Sequence, residues 1–295
     1  MSLKTMKLNG TAIAVGAAAV SGLSSAAMAQ SADGFARDTV KPLTFGAEGG
    51  FAWSDYSKDS FGSEKLGDFN EDFGYYGSLS VSRGITTEWD WRLSVNHLRF
   101  RPNDVTLQEE GDTAFMETGV RSTMADFDFG RLVTVNGGAT DLRFGVGLTA
   151  GTVNQSLDKG IEFGSESGNA TDADLRFKGI GPRMSADVSH RIGGDSGGFR
   201  VIGGAEISPM YGEYEVDKGF TAYDGEDSRE DGFSDSQSGR LLRTSAYVGL
   251  AFDTNDRTTF KGGIRGTGFS DLSDDRLFED PTVSYTAFIG MDVRF

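Results

Sequence analysis

The chain of 295 residues contains no cysteine and only five prolines, and it has no apolar run long enough to cross a bilayer as a helix. Without cysteine, a disulfide framework and a lipid anchor on cysteine are both excluded. A membrane-spanning helix needs about 18–20 consecutive apolar residues. Clustered basic residues are scarce too, because 44 acidic residues outweigh 28 basic ones and give a net charge of −16. Nucleic acid is therefore not expected as a partner, since phosphate binding needs clustered lysine and arginine.

Glycine and phenylalanine, by contrast, are abundant, with 42 and 22 copies. This mixture is unusual for a soluble α/β enzyme. It suits a β-barrel, in which half of the strand positions are polar and glycine relieves crowding and curvature. The composition therefore favours one large β domain.

The N-terminus has the pattern of a secretory signal. Lys4 and Lys7 precede an apolar run at 12–20, and the small-x-small sequence AMA follows at 27–29. This pattern predicts a cleaved signal peptide over residues 1–29. We expect a short periplasmic segment over 30–41 and a β-barrel over 42–295.

The last fourteen residues, TVSYTAFIGMDVRF at 282–295, alternate between apolar and polar side chains, with Phe288 as the one misfit. Alternation with a period of two indicates a half-buried strand. The segment also resembles the C-terminal signature of bacterial outer-membrane β-barrels, whose last strand ends in phenylalanine or tryptophan. The resemblance implies that Phe295 is a signal read by the outer-membrane assembly machinery.

Nine further segments alternate in the same way. The ten predicted strands cover 42–56, 73–84, 88–100, 117–133, 141–154, 173–192, 198–214, 239–254, 257–270 and 282–295. Short turns at 84–87, 136–138, 193–198 and 255–256 alternate with long polar connections at 57–72, 101–116, 155–172, 215–238 and 271–281.

An even number of strands with short turns at one rim and long loops at the other is typical of outer-membrane barrels. The sequence therefore predicts an all-β fold: a transmembrane antiparallel up-and-down β-barrel of about ten strands, within a range of eight to twelve. Both termini are expected on the periplasmic side of a Gram-negative outer membrane. A soluble periplasmic β protein is the alternative that the alternation alone leaves open.

The long loops carry most of the acidic residues, and two interpretations follow. Acidic loops around a pore mouth would attract cations. They could also hold divalent cations and so contact anionic lipopolysaccharide, because hard cations prefer oxygen ligands. None of the loops has the spacing of a dedicated calcium loop, so no metal site and no cofactor are predicted.

The predicted inner face carries charges of both signs. Five of these residues are the candidate lumen-lining groups: Arg143, Arg183, Asp187, Glu206 and Arg243. A ten-strand barrel is only slightly wider than an eight-strand one, whose interior is nearly filled by side chains. The charges therefore form either a narrow polar path or a structural plug of salt bridges.

One region has a more specific signature. The sequence FKGIGPRMSADVSHRIGG at 177–194 is followed by GFRVIGGAEISPMYG at 198–212 and preceded by FDFGRLVTVNGGATDLRFGVGLTAG at 127–151. Apolar residues change from odd to even positions across 179–182, which predicts a β-bulge there.

Residues 120–212 resemble the Legionella major outer membrane protein family of β-barrels. The resemblance implies a porin-like or surface-interaction role and brings no catalytic residues. The cysteines of the family's namesake are missing here, so disulfide-linked assembly is not implied.

Enzymatic activity is not predicted. Asp126 and Asp128 are superficially similar to the aspartate pair of the ten-strand omptin proteases, but those enzymes also need a histidine as part of a His–Asp dyad. The chain has only His97 and His190, and the alternation places both on the apolar face. No HExxH sequence is present.

The sequence thus predicts a porin-like outer-membrane barrel, with a narrow polar lumen and acidic loops that favour cations or small polar solutes. The alternative is a structural or surface-interaction barrel plugged by salt bridges. In that case the loops would contact lipopolysaccharide, divalent cations or host proteins. The expected partners are outer-membrane lipid, lipopolysaccharide and the assembly machinery, while the solute and the oligomeric state are left open.

Overall fold

The computed structural model describes residues 42–54, 74–100, 105–109, 112–163, 167–193, 198–224, 227–271 and 282–295. The signal peptide predicted over 1–29 and the segment over 30–41 lie outside the described residues. So do the loop predicted at 57–72 and residues 272–281 of the last predicted loop.

Eleven strands make up the described part of the chain. They are β1 (Leu43–Ser54), β2 (Gly74–Gly84), β3 (Trp89–Phe100), β4 (Val105–Glu109), β5 (Asp112–Val135), β6 (Thr140–Phe163), β7 (Ser167–Arg191), β8 (Phe199–Asp224), β9 (Asp227–Asp253), β10 (Thr258–Asp271) and β11 (Thr282–Arg294). A single 3-10 turn at Asn136–Gly138 joins β5 to β6, and Gly137 and Gly138 take positive φ there.

The sheet closes on itself. Its order is β3-β2-β1-β11-β10-β9-β8-β7-β6-β5-β4, and β3 also pairs with β5. The short β4 continues the line of β3 along β5, because Phe100 of β3 faces Val120 while Val105 of β4 faces Met116. The ring therefore has ten strands, all paired antiparallel to their neighbours, and the predicted fold class is confirmed.

Three predicted loops are mostly strand. The segments predicted as loops at 101–116, 155–172 and 215–238 fall largely within the hairpins that β4 to β9 form, and β8 pairs with β9 as far as Asp224 opposite Asp227. The outward positions of these hairpin ends are mostly polar, as at Asp172, Glu215 and Asp217, so the apolar outer stripe stops before the strands do. The backbone hydrogen bonds continue because pairing does not require lipid on one side.

The bulge predicted at 179–182 is also wrong. Strand β7 pairs with β6 without a break, and its register with β8 is the same at Ile180–Tyr211 as at Met184–Ile207. No residue is inserted between those pairs. The apolar residues change position because Phe177 points into the interior while Met184 points outward, as their burial and exposure indicate.

The outer face forms an apolar belt between the two rims. Its exposed side chains include Phe45, Phe51, Leu79, Val95, Phe127, Phe144, Val146, Leu148, Ile180, Met184, Ile207, Val248, Leu250, Phe260, Ile264 and Ile289. On β7 the outward apolar positions run from Ile180 to Val188, roughly 26 Å along the strand at about 3.3 Å per residue. An apolar band of about 25 Å is typical of barrels that span an outer membrane.

Within the described part of the chain, we find no helix with the length and apolar character needed to traverse a membrane.

Candidate functional site in the barrel interior

Two aspartates of β5 lie at the centre of a buried ion-pair layer. Asp126 and Asp128 occupy alternate positions on the inner face of β5, and both side chains are 1% exposed. Asp128 accepts hydrogen bonds from Arg143 of β6 and Arg183 of β7. Asp126 accepts one from Arg243 of β9, with an Nη1–Oδ1 distance of 2.8 Å. Each carboxylate is thus paired, as buried charges require.

Neutral side chains complete the shell of Asp126. Thr149 donates its hydroxyl to Oδ1 over 2.6 Å, and Asn96 of β3 donates its amide to Oδ2 over 2.8 Å. Strands β3, β6 and β9 therefore converge on one carboxylate. Charge-assisted hydrogen bonds of this kind are stronger than neutral ones and fix the geometry of the layer.

Glu206 of β8 joins two of the arginines. Its Oε2 accepts from Arg183 Nη2 over 2.5 Å, and its Oε1 lies 2.7 Å from Arg243 Nη2. Both guanidinium groups are therefore held between an aspartate of β5 and this glutamate. The layer is a connected network rather than a set of isolated pairs.

A glycine permits the contact between Asp128 and Arg183. Gly147 of β6 stands between them in the same cross-strand row. A Cβ atom on Gly147 would lie 2.8 Å from the Cβ atom of Asp128 and closer still to the backbone of β5. Glycine in a strand interior often marks such a close approach.

A second group of charges lies inside the barrel where the first strand, β1, pairs with the last strand, β11. Glu48 of β1 lies 2.9 Å from Lys261 Nζ and accepts from Arg265 Nη2 over 2.9 Å. Lys261 also donates to Asp292 of β11 over 2.9 Å, and Arg265 donates to the hydroxyl of Tyr76 on β2. These contacts link β10 and β11 to β1 and β2 from inside.

Asp187 of β7 is the centre of a third group. It accepts from Arg92 Nη1 of β3 and from the hydroxyl of Tyr247 on β9, each over 3.1 Å. Arg143 Nη1 lies 3.7 Å away. Contacts between β3, β7 and β9 cross the interior rather than follow the wall.

The interior changes character toward the long hairpins. Thirteen side chains at inner positions form one apolar cluster there, namely Ala52, Tyr76, Leu98, Phe100, Val120, Met124, Val153, Phe177, Met210, Tyr214, Leu241, Phe269 and Phe288. The rings of Phe177 and Tyr214 pack at a tilt of 51° with centroids 4.8 Å apart, and both side chains are fully buried. We call this cluster the apolar layer. It lies between the ion-pair layer and the long hairpins.

Arg265 connects the two layers. Its guanidinium carbon lies 4.9 Å from the ring centroid of Tyr76, 5.3 Å from that of Phe288 and 5.4 Å from that of Tyr247. Cation–π contacts of this length are favourable, especially when desolvated. The one misfit in the alternation of β11, Phe288, is thus an inner residue of the apolar layer.

A cavity of about 380 Å³ lies on the short-turn side of the apolar layer, and the ion-pair layer contributes to its walls. Its lining extends from Phe288 and Arg265 to Thr44, Asp141 and Thr259 near the short turns. The cavity walls are rich in serine and in charged groups of both signs.

The five predicted lumen-lining residues, Arg143, Arg183, Asp187, Glu206 and Arg243, all contribute to the walls of this cavity. The structure brings four of them into the layer around Asp126 and Asp128 and places Asp187 beside it. Sequence reasoning missed the apolar layer. Its signal was present in inner-phase apolar residues such as Leu98, Phe177 and Phe288.

Both histidines lie on the outer face. His97 shares a hydrogen bond of 2.8 Å with Thr123 Oγ1, and its ring lies 5.7 Å from that of Tyr75. His190 shares one of 2.9 Å with Thr140 Oγ1 near the short turns. Neither ring reaches Asp126 or Asp128, which face inward.

The residues that the structure describes include no group of three or more histidine or carboxylate side chains placed to hold a metal ion.

Phe295 lies at the seam between the first and last strands. Its backbone N–H donates to the carbonyl oxygen of Leu43 over 2.9 Å, and its ring meets that of Phe45 edge-on at 5.7 Å. The side chain is 76% exposed on the outer face.

No protein-family model matches the chain, and no curated protein matches it by sequence. Among solved structures, the outer membrane protease OmpT from Escherichia coli is similar over 87% of this chain and 98% of its own, with 11% identity and a TM-score of 0.41. CarO2 from Acinetobacter baumannii is similar over 88% and 100%, with 12% identity and a TM-score of 0.36. Ail from Yersinia pestis, solved with a heparin analogue, is similar over 86% and 99%, with 14% identity and a TM-score of 0.28. These similarities concern the barrel fold and assign no activity.

Proposed function

We propose that this protein is an outer-membrane β-barrel with an occluded interior, which acts as a structural or surface-interaction protein through its long hairpins. The observation that carries the proposal is the filling of the interior by two successive layers, one of ion pairs and one of apolar side chains. A solute-conducting porin needs a continuous aqueous path, and side chains that meet across the bore interrupt such a path.

The membrane location is supported by the outer face. The apolar belt has about the height of a membrane-spanning band and is bordered by polar residues at both rims. We place the barrel in a Gram-negative outer membrane with both termini and the short turns in the periplasm. The assembly machinery would then read Phe295 at the end of β11.

The long hairpins offer an acidic surface for contacts outside the membrane. Exposed carboxylates on their outer faces include Asp172, Asp174, Glu213, Glu215 and Asp217. Partners that suit this surface are divalent cations and basic patches of host proteins, since opposite potentials favour encounter.

A porin-like role is the second candidate, and the cavity of about 380 Å³ supports it. The cavity would admit small polar solutes from the periplasm, and the acidic hairpins would attract cations at the other end. Conduction would require the apolar layer around Phe177 and Tyr214 to move aside. Membership of the Legionella major outer membrane protein family stays a prediction, and it is compatible with either candidate.

No enzymatic activity is proposed. The interior carboxylates Asp126 and Asp128 are held by arginines, and both histidines face outward. A general base must reach its substrate or water, and a paired, enclosed aspartate is poorly placed for that role.

Liposome swelling tests the proposal. Proteoliposomes that contain this barrel are diluted into isotonic arabinose, glycine or potassium gluconate, beside proteoliposomes with a general porin and protein-free liposomes. The occluded barrel should swell no faster than protein-free liposomes in any solute. Swelling in small solutes that declines with solute size would favour the porin-like candidate instead.

A further inference from the structure

A row of basic side chains lies on the outer face directly above the apolar belt. Arg99 of β3 faces Arg121 of β5 across the strand pair. Arg121 faces Asn154 of β6, which in turn faces Arg176 of β7. Lys178 lies two residues from Arg176 on the same face. We call Arg99, Arg121, Arg176 and Lys178 the basic row.

The basic row points outward because it shares its phase with the belt. Arg99 follows exposed Val95 at an odd position of β3, and Arg121 precedes exposed Phe127 at an odd position of β5. Lys178 precedes exposed Ile180 at an even position of β7. The row therefore stands where the apolar surface ends on the long-hairpin side. In a membrane, this is the level of the outer-leaflet headgroups.

The charges of Arg99 and Arg121 are poorly compensated by the protein, whereas Arg176 and Lys178 each lie directly opposite a glutamate of β8. Arg99 and Arg121 lie directly opposite each other on paired strands. Like charges in this position destabilise the pairing. The described carboxylates supply one ion pair, Arg176 with Glu215 at 3.5 Å, whose side chains are 59% and 53% exposed. Exposed pairs of this kind contribute little. Among the described residues, no carboxylate forms an ion pair with Arg99, Arg121 or Lys178.

The basic row contrasts with the predominantly acidic composition of the chain. The chain carries a net charge of −16, so the row runs against its overall field. On the next strand, β8, the same two rows carry Glu213 and Glu215. An anion would thus be attracted to the β3–β7 side and repelled from β8, which confines the site to one side of the barrel.

We propose that the basic row binds the phosphate groups of an anionic glycolipid in the outer leaflet. Arginine matches phosphate through paired N–H donors, and lysine adds a point charge. Two neighbouring strands are about 4.8 Å apart, so Arg99 and Arg121 can grip a single phosphate between them. Arg176 and Lys178, two strands further, add positive charge that the opposed Glu215 and Glu213 partly offset. The acyl chains would lie along the belt below, beside Val95 and Ile180.

This inference rests on the proposed membrane location and is independent of whether the interior conducts. It names the phosphorylated lipid headgroup as the ligand. Free phosphate lacks the acyl chains that the belt would bind, so it should bind far more weakly to the same groups.

The test measures binding of a diphosphorylated lipid A to the protein in nanodiscs of neutral lipid. The variant Arg99→Gln/Arg121→Gln removes the opposed pair, and Arg83→Gln is the matched control, since Arg83 is an exposed outward arginine at the opposite rim. We expect at least about a tenfold loss of affinity in the double variant and less than about a twofold change in the control. Raised salt should weaken binding to the wild type.

Two further ligands identify the source of the phosphate. Lipid A without phosphates should bind weakly to the wild type, and inorganic phosphate at millimolar concentration should not displace diphosphorylated lipid A. Equal binding by wild type and double variant, equal binding of the dephosphorylated lipid, or displacement by inorganic phosphate would each overturn the inference. Heat-modifiable migration of each variant reports barrel insertion separately, so a loss of binding in an inserted barrel bears on the basic row alone.

Discussion

Arg243 of β9 donates a hydrogen bond to Asp126 of β5 over 2.8 Å, although the two strands are four places apart in the barrel wall. The contact is therefore made through the interior rather than along the sheet. Both side chains are nearly fully buried, at 6% and 1% exposure. The pair therefore spans the bore at that level.

Loss of Arg183 should destabilise the barrel strongly. Its guanidinium pairs with Asp128 and Glu206, and the variant Arg183→Met would leave buried carboxylates without a counter-charge. We expect a loss of about 3–5 kcal/mol in the free energy of unfolding. Chemical unfolding in micelles measures it. Arg131→Met is the control, because Arg131 pairs with Glu88 at the exposed rim and such pairs contribute about 0–1 kcal/mol. Equal losses in the two variants would contradict the role given to the ion-pair layer.

A side chain at Gly147 should disturb the same layer. The variant Gly147→Ala would place a Cβ atom against the backbone of β5 and 2.8 Å from the Cβ atom of Asp128. Overpacking of this kind costs about 1–3 kcal/mol. Gly77→Ala is the control, since a Cβ atom there meets nothing within 4 Å, and surface changes are usually within about 0.5 kcal/mol. If Gly147→Ala unfolds at the same denaturant concentration as Gly77→Ala, the close contact of β6 with β5 at Gly147 does not contribute to the free energy of unfolding.

The β6–β7 hairpin should become more stable at acidic pH. Partial burial and the nearby Asp172 and Asp174 raise the pKa of Asp158 above its usual value. A carboxyl with a raised pKa in the folded state binds its proton more tightly there than in the unfolded state. Its destabilising effect is therefore absent below the unfolded pKa and grows as pH rises through the folded pKa.

The variant Asp158→Asn should accordingly slow amide hydrogen exchange in this hairpin at pH 7 and have little effect near pH 3. Asp158 and Asp172 are direct cross-strand partners, which gives the repulsion its short range. A stabilisation of equal size at both pH values would show that charge is not its cause.

Removal of the terminal aromatic ring should impair assembly. Phe295 packs on Phe45 at the seam, and the resemblance to outer-membrane barrels makes it an assembly signal. We expect Phe295→Ala to lower the heat-modifiable fraction in cells, while Phe295→Trp and the control Phe260→Ala insert as the wild type does. Normal insertion of Phe295→Ala would remove the basis for the signal.

Much of the fold could be predicted from the sequence because the apolar belt imposes a period of two. The ends of β1, β2, β3, β10 and β11 are within about two residues of the predicted bounds, since their alternation stops where the strands stop. Strands β5 to β9 extend well beyond the prediction. The outward positions of those extensions are mostly polar, so backbone hydrogen bonding maintains the pairing there without an apolar outer stripe.

The interior was predictable only in part. Charged residues at inner positions, such as Arg143 and Glu206, stood out against the alternation. Their partners did not, because a contact such as Arg243 with Asp126 depends on the curvature of the whole barrel. Inner apolar residues were harder still, since Phe177 and Phe288 had the same residue type as the lipid-facing positions. The distinguishing signal was their position in the alternation: Phe177 lies on the same face of β7 as Arg183, and Phe288 on the same face of β11 as Asp292.

The central claim is that the interior is closed, and single-channel recording in planar bilayers tests it most directly. Folded wild-type protein, verified by heat-modifiable migration, is added to a bilayer in 1 M potassium chloride beside a general porin as a positive control. We predict that the bilayer stays electrically silent at moderate voltages while the control gives discrete steps. Regular conductance steps that scale with the amount of inserted wild-type protein would contradict the closed interior.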